Sequence, residues 1–324
     1  MALKGGNAIY KGKPLFRGAM MDSGTGVPAD PVDSPQAQAV YETVLKAAGC
    51  DGAKNDTLSC LRGVPYDTFF NAVTKPFPSA IGFYGSKISF PPRSDGRVLL
   101  ASPEQIAANG SYHHVPMIVG DQEDEGTLFA IYQESIKTDD DLVKYFADNY
   151  YPRATKEQLS ELVGTYSKAG DEGGSPFRTG TENALYPKYK QISAMLGDTT
   201  FTLARRRFLD WTNNAHPETP SWSYLASYLH GLPYLGTYHT SDINQVFNGM
   251  PPSPATISNR RYYFNFLYDL DPNGKHRERH NWPQWRDNLT LMWFKTQFES
   301  DYTPDTFRTD QYNSFVELSD VLRQ

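Results

Sequence analysis

The strongest constraint on this chain is one compact apolar run, Val115-Pro-Met-Ile-Val-Gly120. It is bounded by His113-His114 before it and by the acidic stretch Asp121-Gln-Glu-Asp-Glu125 after it. A short continuous apolar run reads as a strand buried on both faces, the pattern of a parallel sheet covered by helices. Further strands are expected at residues 15–21, closing on the turn Asp22-Ser23-Gly24, and at 221–228. Helical spacing recurs over 36–48, where Val40, Val44, Leu45 and Ala48 share a face and Gly49 is placed as a stop. It recurs again over 139–150, 156–168, 187–210, 242–247 and 257–269. Within 187–210 a break is expected at Gly197-Asp198, with Asp198 capping a second helix. Residues 59–73 mix turn and helix signals, and the aromatic tail after Trp282 is expected to wrap the surface. Strands separated by helices over this length indicate an α/β layered fold.

The 37 acidic and 31 basic side chains leave a net charge of -6, which argues against a nucleic-acid surface. The longest basic run, Arg205-Arg206-Arg207, reads as a solvated helix face. No stretch approaches the roughly 18 apolar residues of a membrane span. Residues 1–12 are polar and Gly-rich, unlike a signal peptide. Two features nevertheless point to secretion: three Asn-x-Ser/Thr sequons at Asn55, Asn109 and Asn288, and the closely spaced Cys50 and Cys60. A chain whose true beginning is missing would reconcile them. A disulfide between the two cysteines is favoured over free thiols, provided the chain is secreted. Closing so small a loop stabilises by on the order of 2–3 kcal/mol in the chain-entropy model. No second Cys or His pair has zinc spacing, and no metal ligand set is expected.

The acidic stretch has a bland reading as a solvated loop. Its acids at 121, 123 and 125, with Gly126 next, resemble the start of a calcium loop, but Tyr132 stands where the bidentate glutamate is required. A carboxylate at the C-terminal end of a strand in an open α/β sheet is where ligands and catalytic groups collect, which singles out Glu125. Of the seven histidines, His113 and His114 are expected to face solvent, and His276 and His280 lie in a charged loop. His239 follows the Gly- and Pro-punctuated lead-in Gly231-Leu-Pro-Tyr-Leu-Gly-Thr-Tyr238. A histidine and a carboxylate, each on a loop after a strand, form the arrangement an acyl-transfer base needs. The nucleophile is missing. No Gly-x-Ser-x-Gly elbow and no His-Gly-Gly-Gly oxyanion loop occur in the sequence. The order of such triads places the serine before the acid and the histidine, hence upstream of Met1.

Taken together, Tyr10-Lys-Gly-Lys-Pro-Leu-Phe-Arg17, Met21-Asp-Ser-Gly24, Ala48-Gly-Cys50, Ser59-Cys-Leu-Arg-Gly63, Val119-Gly-Asp-Gln-Glu-Asp-Glu-Gly-Thr127, Gly174-Ser-Pro-Phe-Arg-Thr-Gly180 and Leu235-Gly-Thr-Tyr-His-Thr-Ser-Asp242 resemble the fungal lipases and sterol esterases of the type-B carboxylesterase family. Asp269-Leu-Asp-Pro-Asn273 and Phe307-Arg-Thr309 extend the match into the tail. The resemblance implies Glu125 as triad acid, His239 as triad base, a Cys50–Cys60 disulfide, Ser23 as a buried polar neighbour of the site, and no cofactor. It implies a lipid or other ester substrate and an extracellular full-length relative. It also implies that residues 1–324 are the C-terminal part of the domain, an incomplete α/β-hydrolase fold with the C-terminal portion of the central sheet and its flanking helices. The N-terminal half is then a missing structural partner, the strand at 15–21 lacks its neighbour, and an apolar patch is exposed. Without serine and oxyanion donors the chain alone is expected to be inactive. The alternative is a non-catalytic interaction protein of the same fold. A glycosidase using Glu123 and Glu125 is disfavoured, since neighbours on one loop do not straddle a sugar.

Overall fold

The computed structural model describes residues 1–53, 56–77, 82–247, 251–274 and 278–323. Its centre is a five-stranded sheet of β3 (Ala19–Asp22), β4 (Met117–Gln122), β5 (Ser221–Ala226), β6 (Thr290–Phe294) and β7 (Asp301–Pro304), in that spatial order. The strands β3 to β6 run parallel and β7 closes one edge antiparallel. A small hairpin of β1 (Ile9–Tyr10) and β2 (Lys13–Pro14) precedes the sheet.

Parallel strands require crossovers, and the helices supply them. Between β3 and β4 lie α1 (Pro35–Ala48), α2 (Thr57–Gly63), α3 (Tyr66–Thr74) and α4 (Pro103–Ala108). Between β4 and β5 lie α5 (Asp139–Asn149), α6 (Lys156–Lys168), α7 (Tyr189–Gly197) and α8 (Leu203–Ala215). Then come α9 (Ile243–Val246), α10 (Pro254–Asp269), α11 (Trp285–Asn288) and α12 (Thr309–Glu317). The helix starts follow local chemistry. Ser34 caps α1 with Pro35 at its first position, and Thr138 and Thr155 form capping boxes at α5 and α6.

Both faces of the sheet are covered, which is why β4 reads as an unbroken apolar run. Ile118 joins Trp222, Tyr224, Met292 and Phe294 on one face, against Tyr262, Phe266 and Trp282. Met117 and Val119 join Leu225 and Leu291 on the other, against Phe208, Leu209 and Trp285. A third cluster fills the helical unit of α5, α6 and α7.

Three expectations are corrected and one holds in part. The strand at 15–21 is paired on one side: β3 pairs with β4 from Ala19 opposite Met117 to Asp22 opposite Gly120. Its outer edge carries no strand among the described residues, and Ile9, Tyr10 and Leu15 nearby are exposed. The tail does not merely wrap the surface, because β6 and β7 extend the sheet and Leu291, Met292 and Phe294 are buried. Residues 187–210 contain no capped break. The chain passes from α7 through a π-helical turn, Asp198–Thr202, into α8. Asp198 caps nothing because tertiary partners occupy its carboxylate: Tyr166 Oη at 3.0 Å and Arg308 Nη2 at 2.9 Å. Finally, Arg205 and Arg206 are buried rather than solvated. Arg205 places Nε 2.7 Å from Asp121 Oδ2 and both Nη atoms 2.7–2.8 Å from Asp305.

Candidate active site

The acidic stretch leaves the C-terminal end of β4, and none of its four carboxylates is solvated: Asp121, Glu123, Asp124 and Glu125 are all buried. Each has its own partners, which is how four carboxyl groups fit in five positions. Asp121 meets Arg205, and Glu123 accepts two bonds from Arg178, at 2.9 and 2.6 Å. The carboxylates therefore diverge, and a calcium cage is not formed.

Asp124 acts as a clasp. Its Oδ1 accepts from Ser175 Oγ at 2.8 Å and the Phe177 amide at 2.9 Å, and its Oδ2 accepts from the Thr237 amide at 2.9 Å. The Asp124 amide in turn donates to the Thr237 carbonyl at 3.0 Å. This ties the acidic loop to the loop that delivers His239. Gly236 is required there twice over: its φ is +57°, and a Cβ would stand 2.1 Å from Asp124 Oδ2.

Glu125 sits at the focus. Its Oε1 accepts from the Gln122 amide at 2.7 Å and from Ser23 Oγ. Its Oε2 lies 2.6 Å from His239 Nδ1. A carboxylate only accepts when ionised, so Nδ1 carries the proton and the Nε2 lone pair stays free. No hydrogen bond to Nε2 occurs among the described residues. The ring packs against Phe129 and Phe201, with centroids at 5.2 and 4.6 Å, and those two rings stack on each other at 5.9 Å. It borders a cavity of about 220 Å³ shared with Asp22, Ser23, Asp242, Ile243 and Phe247.

The electrostatics follow from this packing. Burial by itself lowers the His239 pKa, but the hydrogen bond and charge of Glu125, with Asp242 and Asp121 beyond, outweigh it. The net result lies above the ordinary imidazole value of 6.5. Burial, then repulsion from Asp22 and Glu125, pushes Asp242 up to about 6.

Gly126 explains how Glu125 is aimed. A Cβ at residue 126 would stand 1.8 Å from the Ser193 carbonyl oxygen and 2.6 Å from the Gly197 amide, both in α7. Backbone packs directly on backbone here. Gly126→Ala is expected to destabilise the fold by about 1–3 kcal/mol, the usual cost of overpacking, read as a lower urea midpoint at unchanged slope.

A family model described as the carboxylesterase family matches residues 9–315. The chain belongs to the carboxylesterase family. Secreted triacylglycerol lipase LIP1 of Gibberella zeae is 50% identical over 312 residues, covering 96% of this chain and 53% of that protein. Secreted lipase 1 of Botryotinia fuckeliana is 47% identical over 317 residues, covering 98% of this chain and 54% of its own length. This carboxylesterase-family chain thus spans about half the length of the curated relatives it matches. The crystal structure of Aspergillus niger EstA superposes with a TM-score of 0.77 at 20% identity, over 100% of this chain and 62% of that one. The likeness, with the mostly parallel sheet, shows an α/β-hydrolase-like fold.

Within this family chain the structure brings Ser23, Glu125 and His239 together and joins Cys50 to Cys60 in a disulfide. His114 is exposed as expected, but His113 is half-buried, edge-on to Phe16. His276 and the sequon Asn55 lie outside the described residues, while Asn109 and Asn288 are exposed. Sequence reasoning missed Asp124, Arg178 and Phe201. The first two stand inside quoted motifs, but nothing in one sequence says which motif meets which.

Proposed function

We propose that this chain provides the acid and base of a carboxylic ester hydrolase with a Ser-Glu-His triad, Glu125 as the acid and His239 as the base. The observation that carries the reading is the 2.6 Å contact from His239 Nδ1 to Glu125 Oε2, with Nε2 unpartnered beside a cavity. In a protein that also includes a Gly-x-Ser-x-Gly elbow, the serine oxygen attacks the ester carbonyl carbon while Nε2 takes its proton. The imidazolium then gives that proton to the leaving alkoxide, which departs as an alcohol. Water repeats the cycle and frees the acid. Glu125 fixes the tautomer throughout and stabilises the imidazolium, and Ser23 holds the glutamate. No metal or organic cofactor is needed for this chemistry.

The relatives named as lipases support lipid esters as substrates, and those named as secreted support an extracellular location. The Cys50–Cys60 disulfide and the exposed sequons Asn109 and Asn288 fit an oxidising, glycosylating route. The 324 residues contain no elbow, so a fluorophosphonate is expected to leave the purified chain unlabelled. Stoichiometric labelling of any serine in it would place the nucleophile within these residues and overturn the division of roles. A form that includes an elbow is expected to be labelled, and the His239→Ala version of it to lose that labelling.

A further inference from the structure

At the opposite end of β4, we propose a surface site for one divalent transition ion, zinc by the chemistry of its donors, formed by His114, His216 and Glu218. One ligand atom from each lies within 4.8 Å of the other two. The three come from two segments that the sheet brings together. His114 precedes β4, and His216 and Glu218 form the turn between α8 and β5, closed by the Thr219 amide donating to the His216 carbonyl at 3.0 Å.

His216 is the fixed member. Its Nε2 lies 3.0 Å from the Gly110 carbonyl oxygen, and its ring meets the edge of Tyr112 at 5.3 Å. A carbonyl oxygen only accepts, so Nε2 carries a proton and, in the neutral ring, Nδ1 carries the lone pair. That outer hydrogen bond is the arrangement by which proteins orient a metal-ligating imidazole. The Nδ1 atom then faces Glu218 Oε1 at 3.3 Å. Lone pair against carboxylate is repulsive unless a cation or a proton lies between them. His114 stacks on the same ring, with centroids 4.2 Å apart and 17° between planes, and brings a third donor.

Two imidazoles and a carboxylate, with water completing a tetrahedron, suit zinc at about 2.0–2.2 Å from each ligand. His114 and Glu218 are exposed, so both are free to turn the short distance inward from the stacked arrangement. The site lies at the far end of a six-residue strand from Glu125 and His239, roughly 20 Å away. It therefore stands apart from the ester chemistry and would link the α8–β5 turn to the lead-in to β4. Sequence spacing gave no sign of it, because His114 and His216 are distant along the chain.

The test is calorimetric titration of the chelator-treated 324-residue chain with Zn²⁺, with the visible absorption of bound Co²⁺ as a second readout. Saturation near one ion per chain is expected. Affinity is expected to fall by more than the roughly 10–100-fold that losing an outer hydrogen-bond partner costs in His114→Ala and in Glu218→Gln, each with loss of the tetrahedral Co²⁺ spectrum. Both positions are exposed, so these variants fold even if His216→Ala does not. Absence of saturable binding, or affinities within twofold of the parent in both variants, would overturn the site.

Discussion

Arg205→Met is expected to destabilise the folded chain by about 3–5 kcal/mol, the cost of leaving a buried carboxylate without its cation. Arg205 and Asp305 are both fully buried. The guanidinium spans three elements: it holds Asp121 at the end of β4, Ser223 Oγ in β5 at 3.0 Å, and Asp305 just after β7 through two parallel bonds. Asp305 also accepts from Arg206 Nε at 3.0 Å and Trp285 Nε1 at 2.8 Å. Burial alone would raise the Asp305 pKa, but the charges and hydrogen bonds of Arg205 and Arg206 hold it well below the usual carboxylate range. Asp121 shares the same cation with fewer donors, and there burial wins and raises its pKa. A carboxylate depressed in the folded state contributes stability above its unfolded pKa and loses it as pH falls through the folded value. The Arg205→Met penalty is therefore present at pH 7 and shrinks as the medium is acidified from neutrality through the carboxylate range, because Asp305 takes up its proton at a higher pH in the variant than in the parent. Urea unfolding of parent and variant across that range checks both statements. An equal midpoint at pH 7 would mean that the ion pair adds nothing over a methionine.

The same arginine marks where the sequence stops being informative. Arg205-Arg206-Arg207 reads as solvated because charge is usually outside, and only burial beside Asp305, far along the chain, reverses that. Likewise β4 is legible because both of its faces are apolar, whereas β6 is short and sits in an aromatic tail with no alternation to expose it. The Asp198 carboxylate has the right type for a cap, but the competing demand of Arg308 lies in another segment. Glu125 and His239 are legible for a different reason: the proposed chemistry needs those two residue types on loops after strands, and the family resemblance implies which ones. The clasp by Asp124 and the packing of Phe201 against His239 are tertiary facts that local patterns do not encode.

Glu125→Gln is expected to lower kcat by about 10⁴-fold in a form that includes the nucleophile elbow, the size of effect seen when a triad carboxylate becomes an amide. The reason lies in the donors around residue 125. The Gln122 amide and Ser23 Oγ both donate to Oε1, so in the variant that position keeps the amide oxygen. The amide nitrogen then faces His239 Nδ1, which must accept, and the ring proton moves to Nε2. A base with its lone pair turned away cannot take the serine proton. The tautomer is measurable on the 324-residue chain itself through the nitrogen chemical shifts of His239. In the parent, Nδ1 is protonated and the ring titrates above 6.5; in the variant, Nε2 is protonated. Burial, which lowers the imidazole pKa, is then no longer opposed by the Glu125 charge, so the titration moves down. The base must be neutral to act, so activity in the elbow-containing form with Glu125 intact falls away as pH drops through the raised His239 value. In the variant that acid limb shifts to lower pH while the plateau drops. A variant that keeps the Nδ1 tautomer and the parent titration would remove Glu125 from the role of orienting acid.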